Sequence, residues 1–168
     1  IDILVNAFGL NMKRPALEYP MADWEKMFAV NVKGVMIACK HVANAMKERK
    51  QGSIINLSSV RGIRGYGGGN SAYCGTKGAV EMITKTLAIE LGRYNVTANA
   101  IAPGFIQTDM TAATAERIGI GFDQFIELAA QQIPVGRVGQ PDDIAHTVSF
   151  LASEGAGFVS GQVIYVAG

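Results

Sequence analysis

The sequence predicts a parallel α/β sheet, and three observations carry that prediction. Short apolar runs alternate with longer amphipathic segments in the order strand, helix, strand, helix, strand, helix, strand. Small, polar or glycine-containing turns sit at the carboxyl ends of the apolar runs, at Asn6-Ala7-Phe8-Gly9, Ser58-Ser59 and Pro103-Gly104. The composition is that of one globular domain with a sizeable core: 168 residues, 49% hydrophobic and 17% charged. No internal repeat or low-complexity linker divides it, so residues 1–168 read as a single domain.

The elements follow in order. Ile3 to Val5 is a buried strand, and Asn6 at its end could hold backbone or touch a ligand. Pro15 to Pro20 is a connecting loop. A long helix then runs from Met21 to about Arg49, with Asp23 as its amino-terminal cap. Trp24, Met27, Phe28, Val32, Val35, Met36, Cys39, Val42, Ala43 and Met46 make a broad apolar stripe on it. Asn31 interrupts that stripe with a polar amide that must find partners, bind a water or kink the helix. Glu48 to Gly52 is a polar break, and Ser53 to Ser59 is a strand ending in hydroxyls. A glycine-rich segment from Arg61 to Ser71 forms a flexible rim rather than a P-loop, since it lacks the Gly-Lys-Ser/Thr ending. The next helix runs to about Tyr94, and Val96 to Ala102 is a third strand. Residues 105–133 read as a loop and short helices that could close over a pocket as a lid. Pro141-Asp142-Asp143 opens a helix to about Ala152, with its acids favourably at the amino end. His146, among Val148, Phe150 and Leu151, reads as packed or surface-lying rather than catalytic. Val163 to Val166 is the last strand.

Composition excludes several classes of function. The net charge is +1 and no Lys/Arg tail is present, which argues against nucleic acid and anionic membranes as partners. The two cysteines, Cys39 and Cys74, and the two histidines show no metal-ligand spacing, so no metal is expected. Cysteine usage fits a reducing compartment, and the apolar runs are too short to cross a bilayer, so the expected location is cytoplasmic. Ile1 to Asn6 looks like the inside of a strand, and Val166-Ala167-Gly168 directly follows another. Both ends therefore read as cut.

The chemistry centres on Asn70 to Ala79. Tyr73 and Lys77 lie four residues apart on a helix and so share one face. A phenol titrates near pH 10, and a nearby ammonium favours the phenolate. Bringing it to about 7 takes roughly 4 kcal/mol of differential interaction, within reach of a close cation and a charged cofactor ring in a dry site.

With Asn31, Ser58-Ser59, Tyr73-Cys74-Gly75-Thr76-Lys77 and Pro103-Gly104-Phe105-Ile106-Gln107-Thr108 in this order, the chain resembles the short-chain dehydrogenase/reductase family. Gly136 to Ala145 and Ser160-Gly161-Gln162-Val163 extend the resemblance over essentially all residues. Within the family it is most similar to 3-oxoacyl-thioester reductases and to sugar-acid and cyclic-alcohol dehydrogenases. The resemblance implies a Rossmann-like doubly wound parallel sheet, of which this is the carboxyl-terminal part, about four strands with flanking helices. It implies an NAD(P)-dependent oxidoreductase that interconverts a secondary alcohol and a ketone. Tyr73 would be the general acid/base, and Ser59 would hold the substrate oxygen. Lys77 would lower the Tyr73 pKa and bind the nicotinamide ribose, and Asn31 would hold a water linking Lys77 to solvent. Asn6, Gly9, Pro103, Gly104, Ile106 and Thr108 would join Tyr73 and Lys77 in contacting NAD or NADP. A homodimer or homotetramer is the implied assembly.

Three departures qualify the match. Ala7 stands where the family has a second Asn, Phe8 adds bulk on the adenosine side, and no Asp follows Val166. The strand and glycine-rich turn that bind pyrophosphate would precede Ile1. The alternative reading is therefore a truncated or non-catalytic member acting as a structural subunit.

Overall fold

The computed structural model describes residues 1–168. Its sheet has strands β1 (Ile3–Asn6), β2 (Gly52–Leu57), β3 (Val96–Pro103) and β4 (Val163–Val166), hydrogen-bonded in that order. All three pairings are parallel. Asn6 pairs with Asn56, Asn56 with Ala100, and Ala100 with Val163, so the carboxyl ends of all strands open on one edge. The expected parallel α/β sheet of four strands is what forms.

Alternation along β2 sets the layers. Ile54 and Ile55 are both fully buried but point to opposite faces. On one face Ile54 and Ala98 pack with Cys39 and Met46 of helix α2 (Val35–Arg49) and with Val80 and Leu87 of helix α3 (Ser71–Leu91). On the other, Ile55 and Ile101 pack with Leu151 of a later helix, Pro141–Ala152. Burying one such side chain contributes about 1.5–3 kcal/mol. A polar ladder runs through this apolar interior. The Asn6 amide donates to Asn56 Oδ1 at 2.8 Å, and Asn56 donates to Thr84 Oγ1 at 2.9 Å. Each buried amide thus has the partner its burial demands.

The long first helix is continuous in direction but not in winding. Helix α1 spans Met21–Phe28, a π-helical turn follows over Ala29–Gly34, and α2 then resumes. Widened turns of this kind collect at functional sites. Asn31, inside the turn, is 1% exposed. Asp23 is not the cap. The helix starts at Met21 with Pro20 before it, and Asp23 sits in the first turn, paired with Arg14 at 3.0 Å. Pro20 presets the extended backbone that the cap position needs, so no side-chain cap is used. Trp24 stacks on Phe28 with centroids 5.0 Å apart and meets Tyr19 edge-on at 5.7 Å.

The segment after β3 holds two short helices, α4 (Asp109–Ile118) and α5 (Phe122–Ala130), as its mixed polarity predicted. Helix α6 is Pro141–Ala152, and Asp143 organises its start. That carboxylate accepts the Gln140 N–H at 2.7 Å and both guanidinium nitrogens of Arg137 at 2.7 and 2.8 Å. Chiefly through the Arg137 hydrogen bonds, its pKa is held well below the usual carboxylate range. His146 lies exposed on this helix.

Candidate active site

The site forms where α3 begins, above the carboxyl ends of β1 and β2. Tyr73 and Lys77 are on the first turns of α3. Lys77 is 5% exposed, and its Nζ reaches back to donate to the Leu57 carbonyl at 2.8 Å, the last residue of β2. Its ammonium lies 5.7 Å from the Tyr73 ring centroid. Burial lowers the Lys77 pKa from 10.5 to about 8.

The two serines that follow β2 part company. Ser58 turns inward and donates to Glu81 Oε1 at 2.7 Å. Ser59 opens a short 3-10 turn, and its Oγ accepts the Arg61 N–H at 3.2 Å. Burial raises the Tyr73 pKa above its ordinary value, while hydrogen bonding from Ser59 and then the Arg61 charge oppose that rise. Ser59, not Ser58, is therefore the hydroxyl that faces Tyr73. Desolvation of the phenolate outweighs these favourable contacts.

Asn31 joins three segments. Its Oδ1 accepts the Leu10 N–H at 2.9 Å, and its Nδ2 donates to the Leu10 carbonyl at 2.9 Å and to Thr76 Oγ1 at 3.1 Å. The amide thus mimics a strand partner for the loop after β1, and its side chain is committed to that loop and to α3. Gly9 passes close by. A Cβ there would stand 3.3 Å from Asn31 Oδ1 and 3.6 Å from Lys77 Nζ, so a bare backbone is what lets this loop run beside the ammonium.

The remaining expected contacts divide. Asn6 is buried in the core, with its amide given to Asn56 and, at 3.4 Å, to Cys39, so it is turned away from the site. Pro103 ends β3 at the same edge as Leu57. Gly104 is explained by packing: a Cβ there would lie 2.8 Å from Ala167. Ile106 bridges to Gly139, and Thr108 precedes α4, its N–H accepted by Thr111 Oγ1 at 2.8 Å. Ile106 and Thr108 thus border the helices of the 105–133 segment.

Two side chains here were not singled out from the sequence. Glu81 is 7% exposed and lies one turn beyond Lys77, an i, i+4 signal that would have found it. Lys13, on the loop after β1, lines a cavity with the glycine-rich rim, and no local spacing announces it.

The arrangement fits a nicotinamide riboside. Lys77 has three N–H bonds, of which the Leu57 carbonyl takes one, and the ammonium is too buried for water to take the others freely. Vicinal hydroxyls at the edge shared by Gly9 and Pro103 would accept them. No group of His, Cys, Asp and Glu side chains could hold a metal ion. No helix is long and apolar enough to cross a membrane.

Comparison with known proteins places this geometry in context. A family model described as Enoyl-(Acyl carrier protein) reductase matches residues 1–168. The chain is 42% identical over 168 residues to the short-chain reductase protein NovJ of Streptomyces niveus, covering 100% of this chain and 63% of NovJ. It is 40% identical over 168 residues to the 3-oxoacyl-acyl-carrier-protein reductase FabG of Aquifex aeolicus, covering 100% of this chain and 64% of FabG. A solved gluconate 5-dehydrogenase from Burkholderia cenocepacia J2315, in complex with NADP and tartrate, superposes with a TM-score of 0.91 at 35% identity. That match covers 100% of this chain and 64% of that one. The chain thus spans just under two thirds of the length of these relatives.

Proposed function

The chain belongs to the short-chain dehydrogenase/reductase family, and from that premise we propose that it carries the proton-transfer machinery of an NAD(P)-dependent oxidoreductase interconverting a ketone and a secondary alcohol. The observation that carries this reading is the convergence of Tyr73, Ser59 and a desolvated Lys77 at the carboxyl edge of a parallel sheet. When bound, a reduced nicotinamide supplies the hydride that adds to the carbonyl carbon.

The chain's own residues do the rest. Tyr73 Oη holds the carbonyl oxygen and gives it a proton as the C=O bond becomes C–OH. Ser59 Oγ donates a second hydrogen bond that orients the oxygen. Lys77 holds the ribose hydroxyls and lends positive charge beneath the phenol. With a pKa of about 8, Lys77 is about nine-tenths protonated at pH 7. It remains a cation, yet one that can pass a proton onward. Asn31 fixes the Gly9–Leu10 loop beside it through hydrogen bonds to Leu10. In the oxidative direction every transfer runs backwards.

Segment 105–133, with α4 and α5, would close over the bound substrate. Exposed apolar residues on α2 (Met36, Ile37) and α3 (Met82, Ile89) favour a homodimer or homotetramer.

The test has two parts. Titration of NADH and NADPH against the chain should show saturable binding. Tyr73→Phe should remove nearly all ketone reduction by the protein carrying this sequence, by about 10²-fold or more, with the far-ultraviolet spectrum unchanged. Undiminished turnover in that variant would overturn the assignment.

A further inference from the structure

At the start of α3 lies a cavity of about 710 Å³, bordered by the loop after β1, the glycine-rich rim and the end of α4. Lys13, Arg14, Asn70, Ser71, Cys74 and Arg117 are among its walls. Asn70 of the wall holds Arg61 at 2.7 Å, and the Arg61 charge also acts on the Tyr73 phenol, so Arg61 links the cavity to the proposed proton-transfer site.

Its charge is one-sided. Arg14 is paired with Asp23, but neither Lys13 nor Arg117 has a carboxylate within ion-pairing distance. Arg61, two residues beyond Ser59, stands behind the wall on two of its residues, Asn70 and Tyr66, and has neutral partners only. Its Nη1 donates to Asn70 Oδ1 at 2.7 Å, and its guanidinium lies 4.2 Å from the centre of the Tyr66 ring. The three cations sense one another: burial, then Arg117, then Arg61 push the Lys13 pKa down from its ordinary value. Gathering like charges around a hollow costs free energy that an anion between them would return.

We infer that this cavity is an anion subsite and that the substrate is a compact oxo acid, a ketone or secondary alcohol bearing its own carboxylate or phosphate a few bonds from the reacting carbon. This rests on the oxidoreductase reading above. The guanidinium groups of Arg61 and Arg117 match the planar or tetrahedral oxygens of such a group, and Lys13 adds a point charge. Asn70 is 2% exposed and holds Arg61 in place, so part of the subsite is built before any ligand arrives. A substrate whose only charge lay far from its carbonyl would leave these cations unanswered.

The test is ligand-observed saturation-transfer NMR on the whole chain with matched probes. Levulinate is compared with methyl levulinate, and dihydroxyacetone phosphate with dihydroxyacetone, each at low and high salt. The expected result is about tenfold or tighter binding of the anion in at least one pair, collapsing at high salt. The pair with the larger difference identifies carboxylate or phosphate. Lys13→Met and Arg117→Met should each weaken that anion about three- to tenfold and leave its neutral partner unmoved. Equal binding of anion and neutral partner in both pairs would overturn the subsite, as would affinities indifferent to both substitutions. Arg117 is exposed and Lys13 half-buried, and the salt response of the unsubstituted chain needs neither variant to fold. The two readings also fail separately. Anion-selective binding with no hydride transfer to any ketone would remove the oxidoreductase reading and keep the subsite. Turnover of neutral ketones as efficient as that of oxo acids would do the reverse.

Discussion

Lys77 is kept at a cost to stability. Its ammonium is buried against one carbonyl, and its pKa has fallen to about 8. An unfolded lysine keeps its proton to about 10.5, so between pH 8 and 10.5 the unfolded chain binds more protons and stability rises with pH. Below pH 8 the penalty is fully present, at about 3 kcal/mol. Lys77→Met should therefore raise stability at pH 7 by about 1–3 kcal/mol in urea unfolding, and the gain should shrink as pH climbs through that window. A variant less stable at pH 7 would show that the Leu57 hydrogen bond outweighs desolvation. At this scale the Tyr73–Lys77 pair was legible because an i, i+4 spacing is local. Which of Ser58 and Ser59 turns inward was not legible from local sequence. Glu81 decides it physically by taking the Ser58 hydroxyl, and that contact spans a strand and a helix.

The π-helical turn in the first long helix is a fastening point. One amide at Asn31 satisfies both backbone groups of Leu10 and also reaches Thr76. Asn31→Ala would strand part-buried backbone groups and should destabilise the chain by about 2–3 kcal/mol. Amide exchange at Leu10 should rise more than exchange in β2. Equal rises in both would mean that the turn unlocks the whole domain rather than one loop. The apolar stripe from Trp24 to Met46 concealed this break, because a π turn adds a residue without needing Pro or Gly to mark it. Asn31 itself was the visible signal, a buried amide inside an apolar face. The start of that helix at Met21 was read correctly, but its cap was misassigned to Asp23 because a capping side chain and an acid of the first turn look alike in sequence. Extended backbone at Pro20, before Met21, separates them.

At the level of the whole molecule, the parallel sheet with flanking helices was legible in the alternation of apolar runs and amphipathic segments. The cationic cavity was not. Lys13 and Arg117 are 104 positions apart by their numbering, and only the fold shows that they line one hollow, with Arg61 held at its wall by Asn70. The apolar faces of α2 and α3 belong to this scale too. Ile89 is 83% exposed and Met82 61%, more than a lone surface contact needs. Light scattering at micromolar concentration should report at least a dimer, and Ile89→Glu with Met82→Glu should shift it to monomer. A monomer without substitution would remove the assembly proposal.

The cluster around Tyr19 has an optical consequence. Trp24 is the single tryptophan of the chain, held between Phe28 and Tyr19 in the same small cluster that Tyr73 packs against. Its emission overlaps the absorption of a reduced nicotinamide, so a dinucleotide docking at Lys77 would drain its excited state. With one donor at one fixed address, the quenched fraction reads a single distance, and the protein reports on its own occupancy without a label.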